Sequence, residues 1–102
     1  MVARVAMFEG VNMQEAQRTM DQADAIIREL VEGLAGYAGH LDLASDSGRM
    51  ISITFFDSAE NAEAAEPTFD EEMPKRLGKI FETWGGRRTS VDLYQVVSEL
   101  RR

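Results

Sequence analysis

The chain has 102 residues, the size of a single domain, and a 44% hydrophobic fraction that supports an ordinary globular core. Its formal charge of -7 disfavours nucleic-acid partners, which require a basic face to release counterions. The absence of cysteine excludes disulfides, thiolate metal sites and a cysteine nucleophile. No apolar run approaches the ~20 residues of a membrane span, and no charged leader precedes an apolar segment. A soluble cytoplasmic protein without membrane or nucleic-acid partners is therefore expected.

Residues 2–9 (VARVAMFE) read as a strand closed by Gly10. Val2, Arg4, Ala6 and Phe8 share one face; Ala3, Val5, Met7 and Glu9 share the other, and neither is cleanly polar. A strand apolar on both sides is normally covered on both sides. Asn12 and Glu15 have capping-box spacing. Behind them Ala16, Met20, Ala23, Ile27, Leu30 and Leu34 form the stripe of an amphipathic helix over about 12–33, with Gly33 and Gly36 as its stop. Asp24–Arg28 and Arg28–Glu32 are spaced for ion pairs on its solvated side.

Tyr37–Ala44 alternates, with Tyr37, Gly39, Leu41 and Leu43 opposed to Ala38, His40, Asp42 and Ala44. Met50–Phe56 is β-branched and aromatic throughout, with Ile51, Ile53 and Phe55 opposed to Met50, Ser52, Thr54 and Phe56. The turn cluster Ser45–Gly48 between them makes a hairpin. Asp57 or Ser58 caps a second helix from Ala59, and Asp57 with Glu60 again has capping-box spacing. Pro67 interrupts this helix, and Pro74 marks a kink or restart within a further stripe: Phe69, Met73, Leu77, Ile80 or Phe81, and Trp84. Every charged residue between Arg49 and Lys75 is acidic, which reads as a solvated face supported by Glu71–Lys75 and Glu72–Arg76 pairs. Gly85-Gly86 ends the helix, and Ser90–Val97 reads as a last strand, with Val91, Leu93, Gln95 and Val97 opposed to Asp92, Tyr94 and Val96. This order predicts an α+β, ferredoxin-like βαββαβ fold over residues 1–102: a four-stranded antiparallel sheet with two helices on one face. The other sheet face is left bare, which predicts a partner.

Three segments carry a family resemblance: ARVAMFEG in the first strand, GYAGHLDL in the second, and ISITFFDSAENAEA, where a strand ends in an aromatic, then Asp-Ser, then an Ala/Glu helix. With the closing VDLYQVV, nearly the whole chain resembles the dimeric α+β-barrel superfamily, the antibiotic-biosynthesis-monooxygenase-like domains. The resemblance implies a homodimer in which two sheets face each other as a barrel with helices outside. It also implies a pocket between helices and sheet in each subunit. Family members include cofactor-independent monooxygenases acting on aromatic polyketides, haem-degrading enzymes and isomerases, and fold does not select among them. Haem-degrading relatives carry a histidine ligand on the second helix, whereas residues 58–84 contain none. The monooxygenases use a scattered asparagine, tryptophan and tyrosine set. Asn61, Trp84, Tyr37 and Tyr94 are present here, but no local motif aligns them and no catalytic role is transferred. Where relatives often end a strand in tryptophan, this chain has Phe56.

His40 is the only histidine and can act as acid or base near neutrality. Asp42 lies two residues on, hence on the same strand face, where it can orient the ring. The plain alternative is an edge pair in water. Ser52 and Thr54 can line a pocket or simply bond the backbone. Arg4, a charge inside a strand, can anchor an anionic or carbonyl-bearing ligand or, as the favoured reading, pair with a carboxylate. Trp84 reads as core first and pocket wall second, and Tyr37 and Phe56 are further wall candidates. One histidine and no cysteine make no metal constellation, and no cofactor is expected. The leading expectation is a homodimer whose pocket binds, or without a metal or cofactor oxidises or isomerises, a hydrophobic or aromatic small molecule. His40, Asp42 and Arg4 are its catalytic candidates; Tyr37, Ser52, Thr54, Phe56 and Trp84 are its ligand-binding ones. The alternative is a non-enzymatic structural or regulatory dimer with a packed interior.

Overall fold

A computed structural model describes residues 1–102. The elements are β1 (Val2–Glu9), α1 (Met13–Val31), β2 (Tyr37–Ala44), β3 (Met50–Phe56), α2 (Ala59–Ala64), a π-helical turn (Thr68–Glu72), α3 (Met73–Trp84) and β4 (Arg87–Gln95). The strands form one sheet in the order β2-β3-β1-β4, and every neighbouring pair is antiparallel. This is the expected ferredoxin-like topology, with β1 and β3 as the central strands.

Asn12 caps α1 by accepting from the Glu15 amide at 3.2 Å. The box stays half-formed, because the Glu15 carboxylate accepts from Arg18 at 2.6 Å instead. The buried stripe runs through Ala16, Thr19, Ala23, Ile27 and Val31, while Met20, Leu30 and Leu34 flank it. Thr19 can be buried because its hydroxyl is fully used. It donates to the Glu15 carbonyl at 2.8 Å and accepts from the Trp84 indole at 2.8 Å, tying α1 to the end of α3.

The interrupted second helix resolves into three pieces. Ser58, rather than Asp57, caps α2 through the Asn61 amide, while Asp57 accepts from the Asn61 side chain at 2.7 Å. Pro67 leads into the π-helical turn, and Pro74 occupies the first turn of α3, where its missing N–H is tolerated. Ion pairing also differs from the expected i,i+4 pattern. Arg76 reaches across to Glu29 on α1 at 2.6 Å, and Lys75 approaches Glu72 at 3.7 Å. Arg28–Glu32 forms as expected at 3.3 Å.

The last strand starts and stops earlier than its pattern implied. Gly85 ends α3 with a left-handed φ of 71°, and Arg87 and Arg88 already pair with Glu9 and Phe8. Val96 adds only one backbone bond, to Met1, and Val97 lies outside the strand in water.

The core lies between the helices and one sheet face, around Val2, Phe56, Ala16, Val31, Phe69 and Leu77. On the opposite face Met7, Leu41, Leu43 and Tyr94 are exposed. Val5, Ile51, Ile53 and Phe55 alternate onto that same face. A single chain leaves this apolar surface uncovered.

Candidate active site

The site is built by strand alternation and one irregularity. His40 pairs with Thr54 and Asp42 with Ser52, so all four side chains project toward the helices. Tyr37 joins them on that face, although it is an odd number of residues from His40. The β2–β3 register shifts between Tyr37 and Gly39, and Gly39 has a φ of 141°, a value open to glycine. The simple alternation of Tyr37 with Leu41 is thereby corrected: Leu41 and Leu43 face outward, and His40 and Asp42 face in.

Between this face and the second helical half lies a cavity of about 280 Å³. Its apolar walls include Phe8, Met50, Phe69, Met73, Phe81 and Trp84. Its polar groups are Arg4, His40, Asp42, Ser52 and Arg88. A second, more open groove of about 400 Å³ runs between α1 and β2 past Asp24, Ile27 and Tyr37. His40 and Asp42 line both spaces, so the pair separates inner cavity from outer groove.

His40 Nε2 lies 3.2 Å from both Asp42 oxygens, and Nδ1 lies 2.8 Å from the Thr54 hydroxyl. The carboxylate fixes Nε2 as the N–H. Thr54 then donates to Nδ1 of the neutral ring or accepts from it in the imidazolium, so His40 can take or lose a proton without turning. Ser52 donates to Asp42 Oδ1 at 2.7 Å. Burial alone would push the Asp42 carboxyl up; the His40 and Ser52 hydrogen bonds and the charge of His40 together outweigh it and hold the group below its ordinary value. Across the groove, burial and then the charge of Asp42 push the Asp24 carboxyl up.

On the other side of the cavity, Arg4 projects from the centre of the sheet and is only 4% exposed. Its guanidinium lies 4.0 Å over the Phe69 ring, a cation–π arrangement. Asp70 stands 3.8 Å from it and accepts from Arg88 at 2.9 Å. Both Phe69 and Asp70 are set on the π-helical turn, a geometry that often marks functional positions.

Of the residues singled out from sequence, His40, Asp42, Arg4, Ser52 and Trp84 converge on the cavity. Thr54 sits behind His40 as its anchor and is 1% exposed. Phe56 is no wall: it is fully buried and packs edge-on against Phe69 at 6.5 Å. Tyr37 borders the outer groove. Phe69, Asp70, Phe81 and Arg88 were missed. A buried Arg4 signals that some carboxylate must approach it, but the acidic run offers many, and only the tertiary fold selects Asp70. No group of three His, Asp or Glu side chains is placed to hold a metal ion.

No protein-family model and no curated protein matches the sequence. Solved structures do match its fold. A dimeric ferredoxin-like protein from an uncultured marine organism superposes with a TM-score of 0.74 and 18% identity, covering 99% of this chain and 98% of that one. The chain shares the ferredoxin-like fold. SnoaB, a cofactor-independent oxygenase from Streptomyces nogalater solved as an asparagine-to-alanine mutant, shares this fold with a TM-score of 0.66 and 13% identity over 99% of this chain and 97% of its own. A mutant of MhuD with two manganese protoporphyrin IX molecules per active site shares it at 0.63 and 19% identity, over 100% of both chains. Further matches are provisionally assigned antibiotic biosynthesis monooxygenases. The resemblance read from the sequence therefore holds at the level of fold.

Proposed function

We propose that the chain forms a homodimeric α+β barrel and that each subunit binds a small hydrophobic or aromatic molecule in the cavity between its sheet and second helical half. The observation that carries this reading is the cavity itself, apolar on its walls with a few converging polar groups, as ligand sites are. Its volume is at the small end of such sites, which suits a ligand of two or three rings. Self-association follows from the apolar outer sheet face and is supported by the dimeric neighbour of the same fold.

The reaction class this site suits is oxidation of the bound molecule by dioxygen without a cofactor, the activity named for one structural neighbour. In such a reaction the substrate supplies the electrons: a ring CH2 and O2 become a carbonyl and water. The protein must then hold the substrate dry and accept a proton from it. Asp42 and Ser52 present acceptor oxygens to a substrate hydroxyl, and His40 beside them can store the proton. The cavity counts against a structural or regulatory dimer with a packed interior.

Native mass spectrometry of freshly purified protein tests both parts. The expected spectrum is a dimer with added small-molecule mass. A clean, empty dimer would return weight to the structural reading, and a stable monomer would sink the barrel.

A further inference from the structure

Arg4 is the one charged residue among the buried set, and its guanidinium, though near Asp70 and Phe69, makes no hydrogen bond to a protein group. A guanidinium carries five N–H donors, and burying them unmatched is strongly unfavourable. Its nearest carboxylate is 3.8 Å away, beyond hydrogen-bond distance. That carboxylate, Asp70, is committed to Arg88 at 2.9 Å and is itself 45% exposed. The Phe69 ring covers one face of the guanidinium at 4.0 Å, which leaves its edge. No buried side-chain nitrogen is sealed without a partner, so the free donors open into the cavity that Arg4 lines.

The charge on this wall is also unbalanced. Two guanidiniums, Arg4 and Arg88, share one close carboxylate, and the next acid acting on Arg4 is the exposed Glu66. The opposite wall has the reverse character: Asp42 is an ionised acceptor already braced by His40 and Ser52. The cavity is thus polarised, with donors and positive charge at the β1 side and acceptors at the β2 side.

We propose that Arg4 anchors a carboxylate of the cavity ligand, which is therefore an aromatic acid bound with its carboxylate at Arg4 and any hydroxyl directed to Asp42. Asp70 is the internal counter-ion that the ligand's carboxylate supplants. Bidentate Arg–carboxylate pairing is strong and geometrically selective. This assignment rests on the cavity reading above and adds the charge of the ligand to it.

The test is isothermal titration calorimetry of the full chain with 6-hydroxy-2-naphthoate and with 6-hydroxy-2-naphthamide, which have the same shape, carry the hydroxyl at the end opposite the carboxyl group, and differ in charge. The acid should bind at least tenfold tighter than the amide. Arg4→Gln should abolish that preference, costing the acid far more affinity than the amide, and Arg4→Lys should restore part of it. Asp70→Asn, which removes the competing carboxylate, should tighten acid binding severalfold; a purely structural Asp70 would not give that gain. Equal binding of acid and amide by the native chain, or a preference that survives Arg4→Gln, would overturn the carboxylate assignment and leave the cavity reading standing. If neither probe binds, both fall together.

Discussion

Asp42 illustrates how the neighbours of one strand position set its electrostatics. Its neighbours convert an otherwise destabilised buried carboxylate into a well-bonded one, and the sign of the pH dependence follows. The folded group titrates below its ordinary value of 3.8, so its stabilisation is complete above that value and is lost as pH falls through the lower folded one. Asp42→Asn should therefore destabilise by about 1–3 kcal/mol at neutral pH, because His40 and Ser52 lose a charged acceptor. The difference from the native chain should shrink in acid. Urea denaturation at pH 7 and at about pH 2.5 measures it; an unchanged difference would mean that the carboxylate charge contributes nothing.

The junctions between elements decide where these residues point. Gly36, in the turn before β2, has a φ of 73°, and its carbonyl accepts from the Asp57 amide at 2.9 Å. A Cβ there would collide with the Asp57 and Asn61 side chains, which stand at the start of α2. Gly10 has nearly the same φ, 71°, but nothing lies near its virtual Cβ. Gly10→Ala should thus show the left-handed backbone penalty alone, about 1–2 kcal/mol. Gly36→Ala should lose measurably more, since the clash between β2 and α2 adds to it. Thermal unfolding of the two variants side by side checks this, and equal losses would remove the steric argument.

At the scale of the molecule, the two sheet faces have different fates. One meets the helices and encloses the cavity; the other presents Met7, Leu41, Leu43 and Tyr94 to solvent. Ile53 sits near the middle of that outer face, paired between Val5 and Leu41. Ile53→Lys should convert the proposed dimer to a monomer in sedimentation experiments, because a desolvated, unpaired lysine on each side opposes association. The native chain's melting temperature should rise with protein concentration, and that of the variant should not. A variant that remains dimeric would place the interface elsewhere.

Much of this was legible in the sequence because it is locally encoded. The 3.6-residue stripe from Ala16 to Val31, the Asn12 cap, the β-branched run Met50–Phe56 and the turn at Ser45–Gly48 are short-range patterns, and their order determined the βαββαβ topology. The two apolar faces of β1 likewise announced an uncovered sheet face. Pairing of His40 with Asp42 followed from their spacing along one strand. Tertiary structure decided the rest, because it depends on contacts between distant segments. The bulge beside Gly39 turned Tyr37 and His40 to the same face, which strict alternation forbids. The π-helical turn between two prolines brought Phe69 and Asp70 to Arg4, although the acidic run around them reads as plain solvated surface. A strand's composition tells which side chains share a face; only the packing of the other elements determines what that face encloses.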